Sequence, residues 1–374
     1  MIDCWPGVNV GGHPPGSIGS NMNRLTPPTV RVLQGSDLQR QLPRLATQFT
    51  AGGRGPLSHH PAWLSVFRDG MDHDVYCLEA VVGTQTVGTL PLAYVRSLLF
   101  GKFLVSLPYL NTSGTWASDA AARTALVDRA VTLADELRVR YLELRHEQAL
   151  DHTALTATRT DKVHMRLKLP SFPGNLWQEL PAKVRNQIRK GQKNEFTVEW
   201  GTLDQLNAFY RVFSRNMRDL GTPVYGKRFF RRVLEAFPDR AELCVVSNGP
   251  EPIAGALLMH GYGITEVPSA SSLREYNPTC ANMLLYWHLL ERAVNRGQDV
   301  FDFGRSTPDG NTFKFKKQWG AEAHPAAWQY YVREGVIGDM RPDHPRYRRA
   351  IDLWRRLPLP VTQFIGPAIV RGIP

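Results

Sequence analysis

One order of elements occurs twice in this chain, and it limits the folds open to it. In the first copy, Tyr76 to Val82 and Thr86 to Val95 read as strands around a turn at Gly83 and Thr84. Leu104 to Pro108 reads as another strand. Ala121 to Arg138 reads as a helix whose apolar Leu126, Ala130, Leu133, Ala134 and Leu137 recur at helical spacing, and Tyr141 to Arg145 as a closing strand. In the second copy, Leu243 to Ser247 and Ile253 to His260 flank the turn Asn248-Gly249-Pro250. Ile264 to Leu273 is a further strand, a helix from about Pro278 to Arg296 follows, and Val300 to Arg305 closes the unit. Arg145 and Arg305 hold equivalent places. This repetition predicts an internal duplication, and 374 residues are enough for two domains of ordinary size.

The densest functional signal is residues 299–320. A short apolar strand is expected to stop at Gly304 and present Arg305 and Ser306 where it ends. After a turn at Pro308, Asp309 and Gly310 comes a basic-aromatic run. Read as a strand, it puts Lys314 and Lys316 on one face and turns Phe313 and Phe315 to the core. An arginine beside Lys314, Lys316 and Lys317 suits an anionic group. Asp302 is the first candidate for a general base, or else a structural carboxylate paired to a basic neighbour. Trp63 and Trp319 read as packing. The cluster Asp69, Asp72, His73 and Asp74 reads as turn chemistry and not as a metal loop.

Charge adds a second region. The chain carries a net +11, and residues 183–232 hold 12 lysines and arginines against four acids, a local excess of +8. Leu180 to Phe237 reads as helices, one of them from Leu203 to Arg218 and another from near Lys227. Lys183, Arg185 and Arg189 recur at helical spacing, as a solvated face or as a footprint for phosphate, RNA or an anionic surface. Asn216 and Tyr225 lie in the same block. Tyr109 and Asn111 end an apolar strand, at an expected interdomain cleft or in a hydrogen-bonded turn.

Residues 1–28, rich in Gly, Pro, Ser and Asn, read as a disordered leader within which Met22 is a second possible start. The tail holds a basic amphipathic stretch, Tyr347 to Leu357, with Arg346, Arg348, Arg349, Arg355 and Arg356, ahead of an apolar, proline-punctuated end. It reads as docked on the chain's own core or as seated on an anionic membrane. Four scattered cysteines form no C-x-x-C pair, so neither a disulfide framework nor zinc is expected, and a reducing cytoplasm is. No signal peptide or membrane-spanning run is visible.

Several segments together resemble the FemAB-related proteins of the GNAT acyltransferase superfamily. They are His60-Pro-Ala-Trp63, Leu90-Pro-Leu92 with Arg96-Ser97 and Leu99-Phe-Gly101, Leu104 to Tyr109, Tyr141 to Arg145, Lys183-Val-Arg185, Phe213 to Pro223, Phe301 to Ser306, and Phe313 to Gly320. The resemblance spans about residues 29–370 and is nearest the branch associated with the PEP-CTERM/exosortase system and exopolysaccharide clusters. It implies an α+β fold of two tandem GNAT-like domains, each a mixed, mostly antiparallel sheet flanked by helices. Residues 29–170 would form the first domain and 171–335 the second, entered through basic helices, with 336–374 as the tail.

The resemblance also implies transfer of an acyl or aminoacyl group to an amine-bearing sugar or peptide precursor of the cell envelope or exopolysaccharide. The donor would be an acyl-CoA or an aminoacyl-tRNA, and no metal is implied. The protein would be cytoplasmic, at most peripheral at the inner membrane, with tRNA as the nucleic-acid partner to test and no DNA. The long coiled-coil arm of some FemAB enzymes is missing, as is the Arg/Gln-x-x-Gly-x-Gly/Ala loop that cradles the coenzyme A pyrophosphate.

On this reading Asp302, Arg305 and Ser306 are catalytic. Lys314, Lys316, Lys317, Tyr109, Asn111, Tyr225 and Asn216 bind substrate, and Lys183, Arg185, Arg189 and Asn282 bind donor phosphate. Strands are expected to splay at Val267 to Ser272 and offer N–H groups to an oxyanion, with Asn277 capping the next helix and Pro278 in its first turn. The competing readings are an RNA-binding protein and a catalytically silent adaptor of a polysaccharide synthase.

Overall fold

The computed structural model describes residues 27–51, 57–97, 100–335, 337 and 348–373. The expected leader (apart from its last two residues), Met22, Arg346 and the side chains of Leu99 and Arg348 lie outside the described residues.

The first half runs β1 (Thr29–Gln34), α1 (Gly35–Ala51), a 3-10 turn at Leu57–His59, α2 (Ala62–Met71), β2 (Asp74–Val82), β3 (Gln85–Ser97), β4 (Gly101–Val105), β5 (Trp116–Ala117), α3 (Ala120–Glu136), β6 (Tyr141–His146), β7 (Ala157–Arg159) and β8 (Val163–Lys168). The second half runs α4 (Pro173–Glu179), α5 (Ala182–Gln192), β9 (Phe196–Gly201), α6 (Leu206–Leu220), α7 (Lys227–Ala236), β10 (Ala241–Asn248), β11 (Glu251–Gly261), β12 (Ile264–Ser272), a 3-10 turn at Arg274–Thr279, α8 (Ala281–Asn295), β13 (Val300–Ser306), α9 (Asn311–Lys317), β14 (Glu322–Pro325) and β15 (Ala327–Val332). Helices α10 (Arg348–Arg356) and α11 (Leu359–Val370) close the chain.

The predicted duplication appears as two sheets with the same wiring. The first has the order β1-β2-β3-β4-β6-β15-β7, with β5 beside β3; the second has β14-β8-β13-β12-β11-β10-β9. Each is antiparallel except at one matching joint. There β4 runs parallel to β6, and β12 parallel to β13. A helix makes the crossover in both, α3 in one and α8 in the other, as parallel neighbours require. Helix α3 starts where Asp119 accepts the Ala122 N–H at 2.8 Å, and it buries Leu126, Ala130 and Leu133 on the first sheet.

The halves trade strands. Strand β8, from residues expected in the first domain, completes the second sheet, and β15, from residues expected in the second, inserts between β6 and β7 of the first. The closing strand of each half is therefore locked into the other half's sheet. A shared core adds to this: Trp63 and Phe67 of α2 bury with Phe209 of α6, Phe230 of α7 and Leu243 of β10.

Three local readings are corrected. The run Asn311 to Lys317 is a helix, not a strand, so Lys314 and Lys316 do not share a sheet face. The region Leu180 to Phe237 is not all helix, because β9 pairs along β10 as the edge of the second sheet. Asn277 does not cap the crossover helix. It and Pro278 sit in the 3-10 turn, and Cys280, in the left-handed conformation at φ 61°, precedes Ala281.

The tail docks on its own core through both helices. Ile351 of α10 and Gly366 of α11 pack on Gly221 and Val224, and Val370 joins the shared core. No helix among the described residues is long and apolar enough to cross a membrane.

Candidate active site at the junction of the sheets

Strands β12 and β13 pair only from Ile264↔Val300 to Glu266↔Asp302 and then part. An extra residue in β12 makes the fork: its register against β11 passes from Leu257↔Ser269 to Met259↔Glu266, a bulge at Val267 and Pro268. Beyond it, the β13-facing backbone edge of Val267 to Ser272 has no strand partner, which is the splay expected from the sequence. Asn216 of α6 reaches this arm and donates to Ser271 Oγ at 3.0 Å.

Glu266 stands where the strands part. Burial pushes its carboxyl up to about 8, and the nearby negative charges of Asp302 and Glu147 add to the rise, against the pull of Arg166. Sequence reasoning passed over Glu266. The available signal was a lone carboxylate inside a strand otherwise made of small, apolar and neutral polar residues.

Asp302 itself is committed. One oxygen accepts from Arg166 Nε at 2.8 Å and the other from the Gly304 N–H at 2.7 Å. It is the paired structural carboxylate of the two readings, with Arg166 as its partner and not Arg305. Arg166 also grips Glu147, so Glu147, Arg166 and Asp302 form one chain of charges leading to the fork.

Strand β13 does not stop at Gly304. It continues through Ser306 across a second bulge, where the pairing passes from Asp302↔Arg166 to Arg305↔His164. Gly304 supplies the left-handed φ of 77° that this bulge needs. The bulge re-aims Arg305 into the junction, where its Nε donates to Asn111 Oδ1 at 3.2 Å and its guanidinium lies 3.5 Å from the centre of the Trp328 ring. Lys316 fixes the bulge from behind. It is buried and donates to the carbonyls of Gly304 and Arg305 at 3.0 and 2.9 Å, so it is no free substrate ligand. Ser306 is buried, and its hydroxyl makes no hydrogen bond among the described residues. Lys314 and Lys317 are exposed on α9.

Arg145, at the matching place in the first sheet, reaches the same indole from 3.9 Å. It is held by Glu143 at 2.7 Å and the Leu110 carbonyl at 2.8 Å. Burial, then Arg145, hold Arg305 down to about 9, still charged at neutral pH. Arg305 lines a shallow recess with Arg159, Lys162 and Asp161, three cations to one acid, which suits an anionic group.

Beside Arg145 lies a cavity of about 190 Å³ bounded by His59, Thr112, Thr115, His146, Glu147 and Gln148. Burial holds His59 down to about 4 and His146 to about 3, so both are neutral. His146 Nε2 accepts the Thr115 N–H at 3.0 Å, which places its proton on Nδ1. Nδ1 makes no hydrogen bond of normal geometry; neighbouring Gln329 engages both backbone groups of Leu150 with its amide. The Thr115 hydroxyl and His59 Nδ1 are also unpartnered among the described residues. A partly enclosed space lined by neutral imidazoles and hydroxyls, with the charged Arg145 and Glu147 at its wall, suits a small polar group. Glu147, at its wall, links it through Arg166 to the fork.

The other expected residues separate. Tyr109 and Tyr225 meet edge to face with ring centres 5.3 Å apart and wall the junction. The Tyr109 hydroxyl donates to the Val370 carbonyl at 3.1 Å. Asn111 binds Arg305 and accepts from Trp328 Nε1 at 3.2 Å. Asn282 lies in the first turn of α8, at the end of the splayed arm. Lys183, Arg185 and Arg189 do not gather there, since the end of α5 that touches Cys280 is Gly191. Arg185 donates to the carbonyls that end α4, and Arg189 stacks on Trp177. Among the described residues, no group of His, Cys, Asp and Glu could hold a metal ion.

This forked sheet has known counterparts. Residues 180–317 match the family model of the acetyltransferase (GNAT) domain. These residues have the GNAT fold. The match covers α5 to α9, including the fork, Glu266 and Arg305. The whole fold, two such sheets in tandem, is similar to the crystal structure of FemX, with a TM-score of 0.58 and 14% identity over 78% of this chain and 96% of that one. It is also similar to the C-terminal domain of a putative lysylphosphatidylglycerol synthetase from Agrobacterium fabrum, with a TM-score of 0.52 and 12% identity over 79% of this chain and 92% of that one. L-PGS from Bacillus licheniformis is comparable, with a TM-score of 0.52 and 11% identity over 90% of this chain and 96% of that one. No curated protein sequence matches the chain. The link from β12 to α8 is a 3-10 turn at Arg274–Thr279.

Proposed function

We propose that the protein is an N-acyltransferase whose chemistry takes place at the fork of β12 and β13. The observation that carries this reading is Glu266, a carboxyl held up to about 8 at the point where the strands part. A carboxylate of that basicity accepts a proton from an attacking ammonium or amine near neutral pH, whereas an ordinary glutamate is too weak a base. The free backbone edge beyond Glu266 supplies N–H donors for the oxyanion formed when the amine adds to the donor carbonyl. Collapse of that adduct expels the donor's leaving group and leaves an amide. A silent adaptor has no need of this arrangement.

The donor is an acyl thioester of the coenzyme A class, the usual partner of a GNAT domain. It enters along the splayed arm, with its phosphates toward the turn before α8. The acceptor amine belongs to a small, hydroxyl-rich molecule seated in the cavity beside His59 and His146, whose neutral groups match hydroxyls better than charges. An amino sugar or a short precursor of the cell envelope or exopolysaccharide fits this description, in keeping with the FemAB-related resemblance. The deciding experiment measures thiol release from acetyl-CoA and longer acyl-CoAs with a panel of amino sugars and amino acids. Turnover that Glu266→Gln removes while the fold is kept supports the reading. Absence of turnover with every acyl-CoA, alongside transfer from charged tRNA, replaces the donor with an aminoacyl ester.

A further inference from the structure

Helix α11 is built inside out. Its polar residues face the protein: Thr362 is buried with its hydroxyl on the Leu359 carbonyl, and Gln363 donates to Ser214 Oγ at 2.8 Å. Its outward stripe is apolar. Phe364 is 85% exposed and Val361 40%, with Ala368 exposed on the same stripe at helical spacing. No charged residue interrupts Leu359–Val370. A helix that meets water shows the reverse arrangement.

Basic side chains bracket the stripe. Arg349, Arg355 and Arg356 precede it on α10, and Arg371 ends it. Lys227 begins α7 just after Gly226, which faces Pro367 of α11. Asp352 answers Arg355, and Asp72 lies 3.7 Å from Arg371, so the set remains strongly positive.

We propose that α11 seats the protein on an anionic phospholipid surface. Val361, Phe364 and Ala368 enter the boundary between headgroups and acyl chains, and the arginines meet the phosphates. Charge decides between this occupant and a second copy of the chain. A twofold contact through α11 would set the arginines of one copy against those of the other, which is repulsive. A layer of anionic headgroups complements the same arginines.

The seating also has a consequence for the active site. The inner face of α11 holds the aromatic wall of the junction, through Gly366 against Val224 and the Val370 carbonyl on Tyr109. Membrane contact therefore lies directly behind the wall shared by Tyr109 and Tyr225, and the acceptor is one presented at the membrane surface. That last step rests on the acyl-transfer reading; the seating itself does not.

The test is co-sedimentation of the full chain with vesicles of phosphatidylglycerol in phosphatidylcholine and of phosphatidylcholine alone, at low and high salt. The expected result is binding to the anionic vesicles that weakens with salt. Replacing both Val361→Ser and Phe364→Ser lowers it at least about tenfold, and Arg349→Gln with Arg356→Gln lowers it about tenfold on anionic vesicles only. These side chains are exposed, so the melting temperature should hold. Equal recovery with and without vesicles, or full binding by the Val361/Phe364 variant, overturns the proposal. A dimer that Phe364→Ser dissolves, in a protein that ignores vesicles, would assign the face to a second copy instead. Vesicle binding by a protein that transfers no acyl group would keep the seating and remove the acyl-transfer reading.

Discussion

Arg145 and Arg305 close on one indole. Their guanidinium carbons lie 3.9 and 3.5 Å from the centre of the Trp328 ring, so near that they cannot share a face and must lie on opposite sides. The two arginines hold equivalent places in the duplicated halves, and the traded strand β15 brings the tryptophan between them. A cation over each face of an indole is favourable, and the ring keeps two like charges apart in a buried place. Trp328→Ala should cost roughly 3–5 kcal/mol from lost burial, with a further loss from the arginines it exposes to each other. Arg305→Lys should weaken the recess disproportionately, because an ammonium cannot stack and fork at once. Chemical denaturation of both variants, and binding of inorganic phosphate to Arg305→Lys against wild type, check this. An unchanged midpoint for Trp328→Ala would remove the tryptophan from the junction's support.

Glu266→Gln should lower kcat by about 10²–10⁴-fold with little change in KM. Wild-type activity should rise with pH through about 8, as the carboxyl loses its proton, and the variant should lose that limb. Stability moves the other way. The folded pKa of Glu266 lies above its unfolded value, so the fold favours the protonated form. Stability from this group is present below about pH 4.5 and is lost as pH rises through about 8. Melting curves above pH 8 should therefore show Glu266→Gln to be more stable than wild type. A less stable variant there would mean that the carboxylate is satisfied in the fold and is no strained base.

What the sequence made legible is local. The hairpins around Gly83 and Asn248, helix α3 and the two closing strands follow from alternation and helical spacing, and each lies within a few residues of its expected place. The splay at Val267 was legible through the resemblance. What was lost is nonlocal or short. No periodicity in residues 163–168 or 327–332 says that these strands change sheets, so Trp328 and Arg166 could not be joined to the site. In Asn311 to Lys317 the alternation of Phe313, Lys314, Phe315 and Lys316 mimics a strand. The helix is decided by Phe315 and Trp319, four residues apart and both packed on Tyr286. Glu266 needed tertiary burial before its basicity could be seen, and Asp302 drew attention only because it neighbours Arg305.

Lys316→Met tests the role of the bulge. The methionine keeps most of the unbranched side chain, one atom shorter, but removes the donors that hold the carbonyls of Gly304 and Arg305. The expected loss is about 1.5–3 kcal/mol, typical of charge-assisted bonds. Activity should fall through misplacement of Arg305, with Lys314→Met and Lys317→Met near neutral. Stability equal to wild type in Lys316→Met, with donor affinity alone reduced, would return Lys316 to the ligand-binding set.

The buried histidines predict acid sensitivity. Burial holds His59, His60 and His73 down to about 4 and His146 to about 3, from an ordinary value of 6.5. Each is neutral in the fold and free to charge in the unfolded chain. Between about pH 6.5 and 4 the unfolded chain binds more protons, and stability falls as pH falls. Each histidine contributes on the order of 1–3 kcal/mol across that window. Glu266 works against the trend but is one group against four. Melting temperatures taken from pH 7.5 to 4.5 should drop steadily, and less steeply in His146→Asn, whose side-chain oxygen can still accept the Thr115 N–H. A flat profile would mean that water reaches these imidazoles.

Gly114 is the position where the cavity admits least change. A Cβ there would lie 2.0 Å from His146 Cδ2, well inside contact distance, so the ring would have to leave its place. The displaced imidazole would lose the Thr115 N–H and move within the space of about 190 Å³ that the acceptor is proposed to fill. Gly114→Ala should therefore cost roughly 1–3 kcal/mol and raise the acceptor KM well before it affects donor binding along β12. His146→Ala in the same background should recover part of both losses, because it removes the atom that the new methyl strikes. Steady-state kinetics with each substrate varied in turn, on the single and double variants, separates these effects. An equal rise in KM for donor and acceptor would place the disturbance in the fold as a whole and not in the cavity.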